Sequence, residues 1–399
     1  MSQEGRGVEL GRRSSITAPE DQGVTFIELF FDLVFVFAVT QTSSLLHDDL
    51  SLIGVIRFII VFWMIWWGWT QFTWALNGAD TTHHRIQLAT LAAVVVAFAL
   101  AGGTRSAFEP GSGLWFAVPY VLLRTIGLGV YLSVAAADLP QRKAVLSFWA
   151  FSSIGQILAI VGALATDPGR TILWGTILAA DLLAALRSGR GDAWRLRPDH
   201  FVERHGLFVI LALGESLIAA GLPVASLERT SGLVIAATLA VLVTCAMWWV
   251  YFDHHKPTIE AAINATSNAE LTALARDVYS LLHFPVLCGV VAIAVTLSDA
   301  VANPSATLST RTTVALALGL LSFVAALEVI HRRATGDWIW QTVVICAITS
   351  VAIILARPLA PFAPLVVAVT GLAGIALFEE LRSERRAGAR VIPQRQKGA

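Results

Sequence analysis

The chain has 399 residues, 56% of them hydrophobic and 14% charged, with a mean hydropathy of +0.70 and a formal net charge of zero. This balance excludes an ordinary soluble domain, and the absence of net charge excludes a whole-chain field for nucleic acid or an acidic partner. The three cysteines, Cys245, Cys288 and Cys346, lie inside apolar runs, so neither a disulfide framework nor a thiolate metal centre is expected.

Residues 1–24 are polar and lack the pattern of a cleaved signal, so the first apolar run is expected to act as the insertion signal. A bilayer-spanning helix needs about 20 predominantly apolar residues. Segments 25–46, 54–76, 84–102, 115–137, 143–164 and 171–187 meet or approach that length, as do 203–222, 231–251, 276–297, 311–331, 338–356 and 362–381. The sixth is short and the ninth opens on charge. Together they predict an all-α polytopic membrane protein of about twelve transmembrane helices. The abundance of Trp and Phe over Tyr suits lipid-facing and interfacial surfaces.

Charge placement tests the count. With both termini cytoplasmic, 21 of the 28 Lys and Arg fall on the inside. Six fall outside, one each at Arg57, Arg105, Arg170, Arg229, Arg311 and Arg357, and Arg124 lies within a span. That alternation satisfies the positive-inside rule, and adding or losing one helix would scramble it. The basic stretch "RSGRGDAWRLRPDHFVER", residues 187–204, reads as a topology anchor that meets anionic headgroups, the alternative being a regulatory site. With 252–275 it is expected to form the longest cytoplasmic connections.

An internal repeat is visible at the helix starts. "FIELFFDLVFVFAVTQ" (26–41) aligns without a gap on "FVERHGLFVILALGES" (201–216), so that Glu28 meets Glu203. Trp pairs then follow in "FWMIWWGWTQF" and "AMWWVYFDHH", and an arginine follows each, Arg85 and Arg276. Two repeats of six helices share one orientation, related by an axis along the membrane normal, as in several transporter superfamilies. The expected division is a tail (1–24), a first repeat (25–187), a basic linker (188–202), a second repeat (203–381) and a basic tail (382–399).

Charged residues inside apolar helices mark the candidate sites, because each is costly if it faces lipid. Glu28 and Asp32 are one turn apart on one helical face, with Asp32 about 6 Å deeper. Two adjacent anions there require a cation or a proton, and Arg85 or Arg276 is the expected cation, with His84, His205 and His283 nearby. Asp277 beside Arg276 belongs to the same set. Two readings stand: an ion-pair network that holds helices together, and a proton or substrate path. Arg124, Asp181 and Glu215 lie deeper, and Arg124 is expected to clamp one of the two carboxylates. "LGESL" around Ser216 lacks the second glycine of a nucleophile elbow, so no serine nucleophile is expected. The histidine pairs, His83–His84 and those of "FDHHKP", diverge by about 100° on a helix and cannot readily share one ion. No metal site and no cofactor are expected.

"ELFFDLVFVFAVTQ" and "ERHGLFVILALGES", with the Trp-rich second helix, resemble the bacterial low temperature requirement protein A (LtrA) family over residues 20–385. The resemblance implies a multi-pass protein, named for a need during growth in the cold. It makes Glu28, Asp32, Glu203, Glu215 and Ser216 signature residues without assigning them a role. The leading expectation is an ion- or proton-coupled secondary transporter of the inner membrane, partnered by lipids and by a proton or small ion. The alternatives are a lipid- or partner-binding protein without catalysis, and a membrane-embedded enzyme on an amphiphilic substrate. Transport expects a polar path joining the inner cluster to Arg124, Asp181 and Glu215; an enzyme expects a pocket open to one leaflet; a binding protein expects every buried charge paired.

The charge bias generates the first prediction. Reporter tags at the N-terminus, in 187–204 and at the C-terminus should all read cytoplasmic. A periplasmic signal from any of them breaks the twelve-helix count.

Overall fold

The computed structural model describes residues 16–19, 22–188 and 196–395. Among the described residues it contains helices and no strand beyond an isolated bridge between Thr17 and Ala79. Each of the twelve predicted segments falls on a helix. In chain order these are α1 (Phe26–Asp48), α2 (Leu52–Asn77), α3 (His84–Thr104), α4 (Gly113–Val134), α5 (Leu139–Leu164), α6 (Gly169–Ser188) and α7 (Pro198–Ser226). They continue with α8 (Ser231–Ala265), α9 (Glu270–Ala302), α10 (Thr310–Thr335), α11 (Trp340–Ala356) and α12 (Ala363–Arg395). Eleven are long and apolar enough to cross a membrane, and α11, at 17 residues, is a shorter apolar helix. The chain is a multi-pass membrane protein.

Short polar residues start the helices by accepting otherwise orphaned amides. Ser51 accepts from Gly54 N at 3.2 Å, Thr230 from Leu233 N at 3.2 Å and Ser309 from Thr312 N at 3.1 Å. At α1 the Glu28 carboxylate reaches back to the Thr25 amide (3.2 Å) and hydroxyl (2.9 Å), so this acid also caps its own helix. Gly336, at φ 86°, ends α10 in the left-handed conformation that a side chain would resist.

The stretch 252–275 differs from expectation. It is mostly helical: α8 runs through a π-helical turn at Val250–His255 and on to Ala265. A second π-helical turn, Arg276–Leu281, interrupts α9 before His283. Each π turn carries one residue more than an α turn, which shifts the helical face that follows it, and such turns cluster at functional positions. The expected linker 188–202 is shortened, because α7 already begins at Pro198; residues 189–195 lie outside the described residues.

Two compact units divide the chain. The first comprises Met1–Leu211 with Ile263–Phe284, and the second Ala212–Ala262 with Pro285–Ala399. The boundaries run within α7, α8 and α9, so these units differ from the division expected from the sequence. In the first unit α2 is the central helix, with 67% of its apolar window buried. In the second, α9 and α10 approach closely at Gly289 and Gly319. A Cβ at Gly289 would stand 2.6 Å from the Gly319 carbonyl oxygen and 2.8 Å from the Phe323 amide nitrogen. Close backbone approach over small residues is how membrane helices gain packing without a hydrophobic drive.

Gly289→Val should therefore push two backbones apart and cost about 1–3 kcal/mol. Thermal unfolding in detergent should show the loss, whereas Gly214→Ala, at a position with open space around it, should not.

Candidate functional site

Two clusters of charge lie in the first unit. At one, Glu28 and Asp32 are both buried, as anticipated, but the cation between them is Arg204 rather than Arg85 or Arg276. Arg204 Nη1 lies 3.4 Å from Glu28 Oε2, and Nη2 pairs closely with Asp32 Oδ1. The Trp69 indole donates to Asp32 Oδ1 at 2.7 Å, and the guanidinium sits over its ring at 5.6 Å. His200 Nε2 approaches Glu28 Oε2 at 3.0 Å. The Arg197 N–H donates to Asn77 Oδ1 (2.8 Å), which turns the Asn77 amide nitrogen toward His200 Nδ1 (3.3 Å). That bond leaves the ring proton on Nε2, facing the carboxylate. Arg197, half-buried just ahead of α7, is held below the ordinary guanidinium pKa by lost hydration, against the pull of Glu28.

The expected cations sit elsewhere for geometric reasons. Arg85 is exposed at the start of α3, and Arg276 turns to its own neighbour Asp277 (2.6 Å) and to the Ala185 carbonyl (3.3 Å). Glu203, which the sequence alignment sets against Glu28, is exposed, because successive residues on a helix diverge by about 100° and Arg204 takes the inward position.

Arg124 and Asp181 form the second cluster, at 3.2 Å and fully buried. Arg124 also donates to the Tyr120 hydroxyl, to Gln71 Oε1 and to the Ser152 hydroxyl, and Trp63 donates to Asp181 Oδ2 at 3.2 Å. A buried guanidinium with its donors satisfied on several helices is the arrangement that makes such a charge tolerable. His205 and His283 pack with Tyr279, and each presents Nδ1 to a carbonyl of its own chain segment, Phe201 and Val278, at 2.8 Å.

In the second unit Glu215 is buried on α7, and the adjacent Ser216 hydroxyl donates to the Ala212 carbonyl of its own helix. The same unit holds a cluster that the sequence reading missed. His255, at the end of the π turn in α8, meets Glu328 of α10 and Glu379 of α12. His255 Nε2 is 3.3 Å from Glu379 Oε1 and 4.0 Å from Glu328 Oε1, and Thr342 donates to Glu379 at 3.5 Å. All three are buried, and both Glu328 oxygens lack a hydrogen-bond partner. The electrostatic neighbours of Glu328 are His255, Glu379, the Ile339 backbone and Arg382. The cluster borders a polar cavity of about 390 Å³ lined by Asp253, His254, His331, Ile339, Glu379 and Arg382. His254 turns away to Asp253, so the two adjacent histidines do diverge. Glu328 lies inside predicted span 311–331, and Glu379 inside 362–381. The rule that selected Arg124, Asp181 and Glu215 selects these two as well.

The description Bacterial low temperature requirement A protein (LtrA) matches residues 23–377. An uncharacterized protein of Rhizobium meliloti (strain 1021), RA0937, is 28% identical over 289 residues, which is 70% of this chain and 70% of that protein. No solved structure matches.

The Glu28 cluster sets the third prediction. Arg204→Gln leaves two buried carboxylates uncompensated and should cost about 3–5 kcal/mol, more than Asp32→Asn. In thermal unfolding the double variant Arg204→Gln/Asp32→Asn should recover part of the loss. Equal effects from Arg204→Gln and Arg85→Gln would contradict the pairing.

Proposed function

The chain belongs to the bacterial low temperature requirement A family, and we propose that within it the chain is a proton- or small-ion-coupled secondary transporter of the cell membrane. One observation carries this reading. In the second unit, two buried carboxylates share one imidazole beside a polar cavity, and Glu328 has no hydrogen-bond partner among the protein groups. A site that must take up a proton or cation from water needs a charge deficit and an aqueous route. This cluster has both. By the charge bias, the ends of α8, α10 and α12 that hold it lie toward the cytoplasm, so the cavity would load from that side. The π turn that positions His255 fits a helix interrupted at an ion site.

The cluster at Arg204 and the pair Arg124–Asp181 have the opposite character. Each anion there meets a cation or an indole donor. That ion pairing favours a second reading, a lipid- or partner-binding membrane protein whose buried charges are struts.

Flux separates the two. Proteoliposomes with an imposed pH gradient and a panel of small cations should show proton movement with the wild-type chain. Glu328→Gln should lower it to the rate of empty vesicles while keeping the unfolding temperature. A wild-type chain that moves neither protons nor cations rejects transport and leaves the binding reading.

A further inference from the structure

The acid–histidine cluster of the second unit has the composition of a metal site. Its donor atoms, one from each of His255, Glu328 and Glu379, lie within 4.8 Å of one another. Ligands at about 2.0–2.2 Å from a tetrahedral ion stand roughly 3.4 Å apart. The His255–Glu379 separation of 3.3 Å is already at that value, and the His255–Glu328 separation of 4.0 Å is a small side-chain rotation from it. Three different helices supply the donors, so the geometry is held by the packing of the unit and not by one flexible loop.

Charge and coordination point the same way. Two carboxylates and a neutral imidazole carry two negative charges; Arg382, on the cavity wall, offsets part of them, and a dication would compensate the rest while bridging both acids. Glu328 is fully buried, directed at the cluster, and its oxygens are hydrogen-bonded to no protein group, so its acceptor capacity is unused. The charges and dipoles that otherwise reach it come from His255, Glu379, the Ile339 backbone and Arg382. A further ligand lies within reach. His331 follows Glu328 by three residues on α10, which puts both on one face. It is buried, lines the same cavity, and its ring centre is 6.3 Å from that of His255. Imidazole with carboxylate suits zinc, manganese or ferrous iron. It lacks the thiolates favoured by cuprous copper, and the imidazole counts against calcium and magnesium, which prefer all-oxygen shells.

We propose that His255, Glu328 and Glu379 bind a divalent first-row transition-metal ion, with His331 available as a fourth ligand and the cavity as its approach from water. The assignment rests on the reading above that this cluster is the ion site, and it names the class of ion. It departs from the sequence expectation of no metal, which rested on adjacent histidines. Here a single histidine of the pair meets acids from two other helices.

The test is titration of the full-length chain in detergent with Zn²⁺ and Mn²⁺, with Ca²⁺ and Mg²⁺ as comparisons, followed by calorimetry and by metal analysis after gel filtration. One Zn²⁺ or Mn²⁺ per chain should bind and raise the unfolding temperature, and Ca²⁺ and Mg²⁺ should not match it. His255→Gln, Glu328→Gln and Glu379→Gln should each weaken binding about 100-fold or more, and His84→Ala, at an exposed position of the first unit, should leave it unchanged. Should a variant fail to fold, Zn²⁺ protection of His255 from diethyl pyrocarbonate in the wild-type chain decides the matter. Absence of stoichiometric binding, or binding indifferent to all three substitutions, overturns the site. Proton flux without metal binding discards the site and keeps the transport reading; metal binding without any flux does the reverse.

Discussion

A charged side chain in a bilayer has no water to compensate it, and this constraint organises the first unit. Arg204 lies between Glu28 and Asp32, so α7 must meet α1 at that depth and in that rotation. The second helix completes both clusters. Trp69 donates to Asp32, Trp63 to Asp181, and Gln71 joins Arg124. One helix thus carries a donor for each buried ion pair, which accounts for its deep burial more directly than its apolarity does. Breaking a buried pair is strongly unfavourable, although replacing the whole pair by apolar groups need not be. The pairs therefore specify which helices meet, and apolar packing supplies the bulk of the stability.

The helices were legible in the residues because the bilayer imposes a length, about 20 apolar residues, that few other structures need. The deep charges were legible for the same reason. Their partners were not. In "FVERHG", Glu203 and Arg204 are adjacent, and the choice of which one turns inward depends on which face of α7 is buried. Both faces of that helix are apolar, so no periodicity decides it. The alignment with Glu28 favoured Glu203, whereas burial favours Arg204. Long-range packing settles such a choice, and a single sequence does not encode it locally.

The acid–histidine cluster was hidden for a different reason. The apparent histidine motif, His254–His255, invites a test of whether both rings can hold one ion, and on a helix they cannot. The relevant partners are single acids far along the chain, each at the end of an apolar span where an acid passes for a boundary residue. The π turn at Val250–His255 adds to the difficulty. It rotates the face on which His255 is presented, so a face assigned by regular α-helical periodicity would be wrong from that point on.

A strut and a site differ in charge balance more than in residue type. Around Arg204, two carboxylates meet a guanidinium that cannot lose its proton, His200 Nε2 stands 3.0 Å from Glu28, and the indole of Trp69 donates to Asp32. Arg197, in the field of Glu28, adds a second guanidinium, so two cations stand against the two anions of that cluster. Around His255, two carboxylates meet one imidazole and the field of a single guanidinium, Arg382, and Glu328 keeps its lone pairs. A cation or proton bound there would offset the remaining negative charge, and its loss would leave that charge unbalanced. The two states differ in how strongly α8, α10 and α12 are drawn together, because the attraction among their side chains depends on the guest. Binding at such a place would couple to helix packing, because the guest's charge sets the attraction among the three helices.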